Sequence, residues 1–328
     1  MKMRLVIFII KCRRKFRQLK NARKIITTFL FFVAVLYPSR FCTAQEKASQ
    51  GLLNTPSTFQ PARFRAAIIG EVAIATVMTI GLQLLWYKKY PHSRFHFFND
   101  DREWMKMDKL GHATTAYNIS AIQYNLMRWS GVSNNSSILI GGLTGLGYLT
   151  MIEIMDGFSS QWGFSPGDMA ANTFGAGLFM LQQYAWNEQK VQMRFSFHPG
   201  IYAKYNTGEL GNTFLQRLLK DYNGQSYWLS FNARSFFPSA HFIPRWINMD
   251  IGYNAEGMTG AVTNPSEVNG KKIPEFKRQN KLLFGLGAAW AKSGSTPFAG
   301  WINILRMPSP VLIWNIKSGK PGASPFYY

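Results

Sequence analysis

Residues 136–157 read SSILIGGLTGLGYLTMIEIMDG, and this stretch sets the architecture expected of the whole chain. Apolar residues and glycines fill it almost from end to end, so residues 136–155 are predicted to form a helix. Gly141 and Gly145 lie four residues apart, a spacing that lets two helix backbones approach closely inside a membrane. The same spacing fits a tight bundle in water, and the residues alone leave both settings open.

Three further helices are predicted along the chain, at residues 66–87, 108–129 and 166–186. The first is long enough to span a bilayer, which takes about 20 apolar residues. It is followed directly by Lys88 and Lys89. The other two are more polar. Because short turns make successive helices antiparallel neighbours, this part of the sequence predicts a four-helix, membrane-type bundle.

After about residue 190 the hydrophobic period changes from helical to alternating, which is typical of strands with one buried face. The predicted strands are 193–197, 228–233, 247–253 and 281–290. A short amphipathic helix is predicted at 210–219 and a polar loop at 264–279. We therefore expect an α+β fold, in which an N-terminal four-helix bundle is followed by a small antiparallel β-rich C-terminal region of four or five strands that caps the bundle.

The formal net charge of +21 comes from 37 Lys and Arg against 16 Asp and Glu, and about half of it belongs to an export signal. Residues 1–44 hold 11 basic and no acidic residues, which leaves a net +10 for the rest. A basic head, the apolar run 25–37 and the small residues before Gln45 form a secretory signal peptide, with cleavage predicted after Ala44. Cys42 is either the acylated cysteine of a lipoprotein or is removed with the peptide. The expected domains are a signal peptide at 1–44, a linker at 45–65, the bundle at 66–190 and the β-rich region at 191–328.

Three polar clusters interrupt the apolar sequence at predicted helix ends. They are Asp108-Lys109-x-x-His112, Glu153-x-x-Asp156-Gly157 and Asp168-x-x-x-Asn172. The first opens one helix, the second closes the next and the third opens the one after, so antiparallel packing would bring all three to the same end of the bundle. The loop 157–167 is then either a lid over this polar end or a connector whose Trp162 and Phe164 plug the bundle.

Each cluster also has a purely structural interpretation. Asp108 and Asp168 stand at helix starts, where a carboxylate caps free N–H groups and complements the helix dipole. His112 is explained equally well as a packed core histidine. Glu153 and Asp156 are harder to explain in this way, because buried carboxylates need partners and an apolar helix gains nothing from carrying two of them.

The motifs, taken together, resemble two known families. The Asp-Lys-x-x-His motif, the glutamate near the end of a glycine-rich helix and the Asp-x-x-x-Asn run are similar to the VanZ-like membrane proteins. The fuller form, with Asp-Lys-x-Gly-His, Glu-x-x-Asp-Gly and Phe-Ser-x-Gly-Asp-x-x-x-Asn, resembles the YfiM-like family over residues 66–190. The segments at Trp228 and Gly252–Met258 resemble longer members of that family from Bacteroidota. The resemblance implies an uncharacterised predicted periplasmic lipoprotein without an established activity, although the chain lacks the lipobox of a lipoprotein before Cys42.

These observations predict an uncharacterised bacterial cell-envelope protein, embedded in or associated with the inner or the outer membrane. Its polar cluster is expected to bind a membrane lipid, an envelope glycan precursor or a protein partner. The expected binding residues are Asp108, Lys109, His112, Glu153, Asp156, Asp168 and Asn172. The alternative is an envelope hydrolase or transferase acting on a lipid-linked substrate, with His112 as general base and Glu153 or Asp156 orienting it.

Several absences from the sequence argue against catalysis. It contains no Gly-x-Ser-x-Gly elbow, no His-Glu-x-x-His motif and no paired-arginine phosphatase signature. No cofactor is expected. The carboxylates with His112 could hold a divalent metal, but their spacing does not indicate one. Nucleic acid is an unsuitable partner, because the chain is exported and its basic residues are scattered.

Overall fold

Four long helices make up the N-terminal half of the described protein. The computed structural model describes residues 54–85, 87–244, 246–288 and 298–327. The long helices are α1 (Pro61–Leu85), α2 (Met107–Trp129), α3 (Asn134–Gly157) and α4 (Pro166–Trp186). All four predicted helices are present. The predicted signal peptide, its cleavage site and Cys42 lie outside the described residues.

The chain divides into two compact units. One contains Arg65–Tyr90, and the other contains residues 54–64 and the chain from Pro91 onward. Two helices, α1 and α3, are long and apolar enough to cross a membrane, a property that the core helix of a soluble protein can share. The candidate site and the sheet both belong to the second unit.

Helices α2, α3 and α4 pack against one another through glycines. A methyl group added to Gly145 on α3 would lie 2.5 Å from the carbonyl oxygen of Ala116 on α2. One added to Gly175 on α4 would overlap the carbonyl oxygen of Ala113. Each glycine therefore allows two helix backbones to approach more closely than any side chain would permit.

Helix α2 is preceded by a turn of unusual handedness. Trp104, Met105 and Lys106 all have positive φ angles, of 45°, 51° and 66°. Non-glycine residues avoid this region at a cost of about 1–2 kcal/mol each. Tertiary contacts hold the turn in place, since the Trp104 N–H donates to the Ala261 carbonyl over 2.8 Å and the Tyr253 hydroxyl donates to the Met105 carbonyl over 3.0 Å.

The C-terminal region contains an antiparallel sheet of six strands in the order β1-β2-β3-β6-β7-β8. The strands are β1 (Val191–Phe197), β2 (Gln225–Asn232), β3 (Ile247–Glu256), β4 (Glu267–Val268), β5 (Lys271–Lys272), β6 (Gln279–Ala288), β7 (Ser309–Asn315) and β8 (Pro321–Tyr327). The short helices are α5 (Thr207–Leu210), α6 (Phe214–Lys220), α7 (Ala233–Phe236) and α8 (Ala299–Ile302).

Two features of this region correct the expectations from sequence. The sheet has six strands because β7 and β8 extend it, and Pro310, Pro321 and Pro325 obscure their alternation. The predicted loop at 264–279 contains the hairpin β4–β5, with Asn269 and Gly270 both at positive φ in its turn. The α+β class itself is confirmed.

The sheet joins the bundle through α2. The Tyr117 hydroxyl donates to Gln189 Oε1 over 3.0 Å, and Asn118 Nδ2 donates to the Met193 carbonyl over 3.1 Å. Met193 also packs with Ala113 and Tyr117 in one apolar cluster. Strands β1 and β2 therefore lie against α2, the helix that opens with the first polar cluster.

Beyond α2 the sheet buries its other face, which combines polar side chains with the apolar cluster of Trp228, Leu283 and Val311. On β3, Asn248, Asp250 and Asn254 are buried, whereas the alternate Met249 and Ile251 are exposed. The Arg306 Nε lies 2.8 Å from Asp250 Oδ2, and both side chains are fully buried. Hydrophobic alternation therefore locates β3, but its apolar Met249 and Ile251 occupy the exposed face and not the buried one.

Candidate functional site

The polar clusters lie at the start of α2, the end of α3 and the start of α4. Lys109 on α2 joins two carboxylates, with its Nζ 2.5 Å from Asp100 Oδ1 and 2.9 Å from Asp168 Oδ1. Ser165 adds a third contact, since its hydroxyl donates to Asp100 Oδ1 over 2.7 Å and lies 3.4 Å from Lys109 Nζ. The ammonium group of Lys109 thus links the segment before α2 to the start of α4.

His112 is held one turn further along α2. Its Nδ1 lies 3.0 Å from Asn172 Oδ1 and 3.5 Å from Glu153 Oε1, while its Nε2 lies 3.9 Å from Asp108 Oδ1. The imidazole is therefore fixed through Nδ1 by α3 and α4, and its Nε2 points toward Asp108. Asn172 is fully buried, and its Nδ2 finds no hydrogen-bond partner among the described residues.

Glu153 ties the end of α3 to the start of α4. Its Oε1 faces His112, and its Oε2 accepts a hydrogen bond of 3.0 Å from the Ser165 backbone N–H. Asp156 lies less than one turn further along α3, and its backbone carbonyl accepts from the Ser159 N–H over 2.9 Å. Glu153 is thus a direct partner of the histidine, whereas the Asp156 carbonyl holds the turn that follows α3.

Asp108 connects the cluster to the β-rich region. The Tyr222 hydroxyl, between β1 and β2, donates to Asp108 Oδ1 over 2.5 Å. The ring of Tyr222 packs on Trp104, with centroids 5.3 Å apart. Tyr227 Oη closes off the neighbouring Gly111, where a methyl group would lie 2.9 Å from the hydroxyl. The site is therefore built from both halves of the second unit.

The pKa values of the two carboxyls on Lys109 shift in opposite directions. Burial raises the pKa of Asp168 to about 8, and the charge of Asp108 adds to the effect. Burial also acts to raise the pKa of Asp100, but hydrogen bonds from Asp168, Lys109 and Ser165 outweigh it, so that this pKa is lowered. At neutral pH we therefore assign the proton to Asp168 and the negative charge to Asp100.

His112 is biased toward its charged form. Burial acts to lower the pKa of His112, but the neighbouring acids, Asp108 first among them, outweigh it and raise the pKa above its ordinary value. An imidazolium donates from both ring nitrogens. In its protonated form His112 directs its Nε2–H toward Asp108, and the two side chains are 15% and 24% exposed.

A metal ion is one possible occupant of part of this site. Asp108, His112 and Asp168 each offer one ligand atom, and these atoms lie within 4.8 Å of one another. A cation bound there would have to displace Lys109 from Asp168 and a proton from His112. The internal ion pairs account for these residues without a metal.

The loop between α3 and α4 pairs with the segment before α2. Phe164 exchanges backbone hydrogen bonds with His96 and Phe98, over 2.9 and 3.0 Å. Its ring packs on those of Phe95 and Phe97, with centroids 5.8 and 5.3 Å apart. Phe164 therefore does not plug the bundle. With the exposed Phe158 it belongs to a partly exposed group, Phe95, Phe97, Phe98, Phe158 and Phe164, which we call the phenylalanine cluster.

Sequence reasoning missed three members of the site. Asp100 lies in a charged run that reads as a connection, although it precedes Lys109 by only nine residues. Ser165 could have been found, because Ser followed by Pro at the first helical position is an N-cap signal, and its side chain does accept from the Asp168 N–H. Tyr222 follows Asp108 by 114 residues, and no local pattern connects the two.

Neither Asp108 nor Asp168 is the N-cap of its helix, contrary to the capping interpretation. Ser165 is the N-cap of α4, and Asp168 stands inside the first turn. The N-cap of α2 is Lys106, which makes no side-chain capping bond, and Asp108 again lies inside the first turn. Both carboxylates complement the helix dipole, but their side chains point to Lys109 and Tyr222.

Residues 96–184 match the model of a family described as predicted periplasmic lipoprotein (DUF2279). The match covers just over a quarter of the chain and includes every residue of the site except Tyr222. It supports an uncharacterised envelope protein that is exported from the cytoplasm. No curated protein and no solved structure matches the chain.

Proposed function

We propose that this envelope protein binds the polar headgroup of a membrane lipid or lipid-linked glycan precursor at the edge formed by Asp108 and His112. The observation that carries the proposal is the way this edge is held. Glu153 and Asn172 fix His112 at Nδ1, Tyr222 fixes Asp108, and the two functional groups remain partly accessible. A preorganised donor beside an acceptor suits a headgroup with hydroxyl, amine or phosphate groups.

The surroundings favour an amphipathic ligand. The phenylalanine cluster adjoins the site, since Asp100 follows Phe98 by two residues and the ring of Phe95 lies against Gly157 at the end of α3. Phe97 is 68% exposed. An apolar ledge next to Asp100 and the end of α3, on the same polar cluster as Asp108 and His112, matches a ligand that carries a headgroup on a hydrocarbon tail.

Binding of defined lipids to the purified protein tests this proposal. Dihexanoylphosphatidylethanolamine, dihexanoylphosphatidylglycerol and undecaprenyl phosphate are titrated onto the wild type and the variants Asp108→Asn and His112→Ala. Asn at position 108 still accepts from Tyr222, so the fold is retained while the charge is lost. We expect at least one probe to bind, and each variant to weaken it about tenfold, the equivalent of one charge-assisted hydrogen bond.

His198→Ala serves as the control, because His198 is an exposed histidine outside the cluster. It should bind like the wild type. Saturable binding that is unchanged in Asp108→Asn and His112→Ala would place the ligand elsewhere on the protein.

A second candidate function is hydrolysis or transfer on a lipid-linked substrate. Glu153 at Nδ1 of His112 orients the ring and leaves Nε2 toward the accessible edge, the arrangement of an oriented general acid–base histidine. Incubation with undecaprenyl pyrophosphate or phospholipid, followed by product analysis, distinguishes the two functions. Turnover that is lost in His112→Ala would support the enzyme, and binding without turnover would support the first proposal.

A further inference from the structure

A large part of the outer face of the sheet is apolar and uncovered. Met249 pairs with Leu286, and Ile251 pairs with Phe284, so the two pairs lie on one face. Phe284 pairs in turn with Leu312 on β7. Met249 and Leu286 are 56% and 60% exposed, Ile251 and Phe284 are 42% and 43% exposed, and Leu312 is 65% exposed. Together with Trp314, these residues form what we call the uncovered face.

The uncovered face lies on the same side of the sheet as the apolar residues of β1 and β2, which helix α2 covers. On β1 and β2, Met193 and Leu229 point to the same side of the sheet as Ile251, because all three are register partners. There Ala113 and Tyr117 of α2 pack against them. The outer face is therefore apolar across the sheet, and a helix of the same chain covers only one end of it.

The inner face shows why the chain cannot turn this surface inward. It holds the buried pair Asp250 and Arg306, the buried Arg194 and several serines and asparagines, together with the apolar cluster of Trp228, Leu283 and Val311. Gly285 and Gly287 leave room for that pair, since a methyl group on Gly285 would lie 2.6 Å from the Arg306 guanidinium. An ion pair buried on the inner face and large apolar side chains exposed on the outer face are the arrangement expected for a surface whose solvent is hydrocarbon.

The two ends of the uncovered face differ in chemistry. At the end formed by the β3–β6 and β7–β8 connections, five exposed lysines outnumber the two exposed acids Glu267 and Glu275 and form what we call the basic rim: Lys271, Lys272, Lys277, Lys317 and Lys320. At the opposite end, large exposed aromatics lie next to the strands: Phe237, Phe242, Trp246, Phe298 and Trp301. Basic residues interact favourably with anionic headgroups, and aromatic residues favour the interface between headgroups and acyl chains.

We propose that the uncovered face contacts the acyl chains of a lipid bilayer, with the basic rim at anionic headgroups. Charge complementarity favours a lipid bilayer over a second copy of the chain as the partner of the uncovered face. Beyond residue 44 the chain carries a net charge of +10, which repels another copy and is attracted by an anionic bilayer. The proposal does not depend on the Asp108–His112 edge, and either can fail alone.

Depth-dependent quenching tests the contact at single positions. The full chain has two cysteines, Cys12 and Cys42, which are replaced by serine. A fluorescent label is then attached to Leu286→Cys, to Leu312→Cys or to the control Glu267→Cys, which lies in the exposed hairpin. The protein is reconstituted in vesicles of phosphatidylethanolamine and phosphatidylglycerol containing phosphatidylcholine brominated on its acyl chains.

The labels at 286 and 312 should be strongly quenched, whereas the label at 267 should keep its emission. Vesicle-bound protein whose labels at 286 and 312 remain unquenched would overturn the proposal, whichever other segment anchors it. Disulfide cross-linking between two copies through unlabelled Leu286→Cys, together with absent quenching, would assign the face to a second copy instead.

The basic rim is tested by vesicle partitioning. Lys317→Gln and Lys320→Gln should each reduce partitioning into phosphatidylglycerol vesicles about fivefold and leave partitioning into phosphatidylcholine vesicles unchanged. Lys204→Gln is the control, because Lys204 is exposed but lies outside the rim. A loss no larger than that of Lys204→Gln would show that the rim does not meet headgroups.

Discussion

Lys109 forms ion pairs with two carboxylates at once, and this determines the protonation of the site. Two carboxylates beside a single ammonium cannot both remain ionised at low cost, so burial raises the pKa of one of them, Asp168, to about 8. Asp168 can then donate to Asp100 while accepting from Lys109. Lys109 with Asp100 and Asp168 is in this way nearly neutral as a group, although it contains two acids.

The shared proton leads to a prediction about pH. Between about pH 4 and the folded pKa of about 8, Asp168 is protonated in the folded protein and ionised in the unfolded chain, so stability falls as pH rises through this window. The slope from this group is about 1.4 kcal/mol per pH unit. Asp168→Asn keeps a donor for Asp100 and an acceptor for Lys109 but cannot ionise. Its free energy of unfolding, measured by urea titration at several pH values, should fall less steeply between about pH 6 and 8.

Titration of His112 also lowers stability as pH rises through its raised pKa, but it does so in both proteins. Because Asp168 also acts on the pKa of His112, that pKa is measured by NMR in both proteins, and the difference that remains belongs to position 168. An identical pH slope in the wild type and Asp168→Asn would show that the proton does not reside on Asp168.

At the scale of single residues, the sequence indicates which side chains are unusual but not which of them meet. Glu153 stands out because a carboxylate in an apolar helix requires a partner. Asp100 does not stand out, because charged residues in a connection are ordinary. Tyr222 has no distinguishing feature at all, since its role arises only when the β-rich region folds against the start of α2.

At the scale of elements, α4 depends on an N-cap that performs two tasks. Ser165 accepts from the Asp168 N–H and donates to Asp100, whereas Ser133, the N-cap of α3, accepts from the Ser136 N–H and makes no contact with the site. We expect Ser133→Ala to cost about 1 kcal/mol of unfolding free energy. Ser165→Ala should cost about 2–4 kcal/mol, because a charge-assisted hydrogen bond is lost as well.

Thermal or denaturant unfolding of the two serine variants measures this difference directly. Equal costs would mean that the hydrogen bond to Asp100 contributes nothing, and that Ser165 acts as a cap alone.

The glycines of α4 provide a second matched pair. Gly175 lies against the Ala113 backbone, whereas a methyl group on Gly177 would meet no atom within 4 Å. Gly175→Ala should therefore destabilise the protein by about 1–3 kcal/mol through overpacking. Gly177→Ala should stabilise it by about 0.5–1 kcal/mol, because alanine is the better helix former.

Denaturant unfolding of both glycine variants gives the sign of each effect. A stabilising Gly175→Ala would contradict the close approach of α2 and α4.

Helices and strands differ in how much of them the sequence predicts. The long helices were placed correctly because their apolar periodicity extends over many turns. Strands β7 and β8 were missed because prolines interrupt them, and the pairing of β3 with β6 across a long connection has no local signal. Alternation reveals a strand, but it does not reveal which of its faces is buried.

At the scale of the whole molecule, the buried pair of Asp250 and Arg306 organises the interior of the sheet. Arg306→Met leaves Asp250 buried without its cation and should cost about 3–5 kcal/mol of unfolding free energy. The double variant Arg306→Met/Asp250→Asn removes the unpaired charge and should regain part of that loss. Lys281→Met is the control, because its ion pair with Glu256 is partly exposed and is worth at most about 1 kcal/mol.

Urea titration of the four proteins gives the required free energies. A double variant as unstable as Arg306→Met would show that the unpaired carboxylate is not the cause. An Arg306→Met variant no less stable than Lys281→Met would show that the pair does not organise the interior.

The left-handed turn at Trp104, Met105 and Lys106 has a consequence for how the protein can vary. A single turn of reversed hand brings the chain back on itself within the nine residues that separate Asp100 from Lys109. In a helical turn each residue rotates the chain direction by about a third of a revolution. One residue more or fewer would swing Asp100 away from the ammonium group, so evolution can exchange the residues of this connection far more freely than it can alter their number.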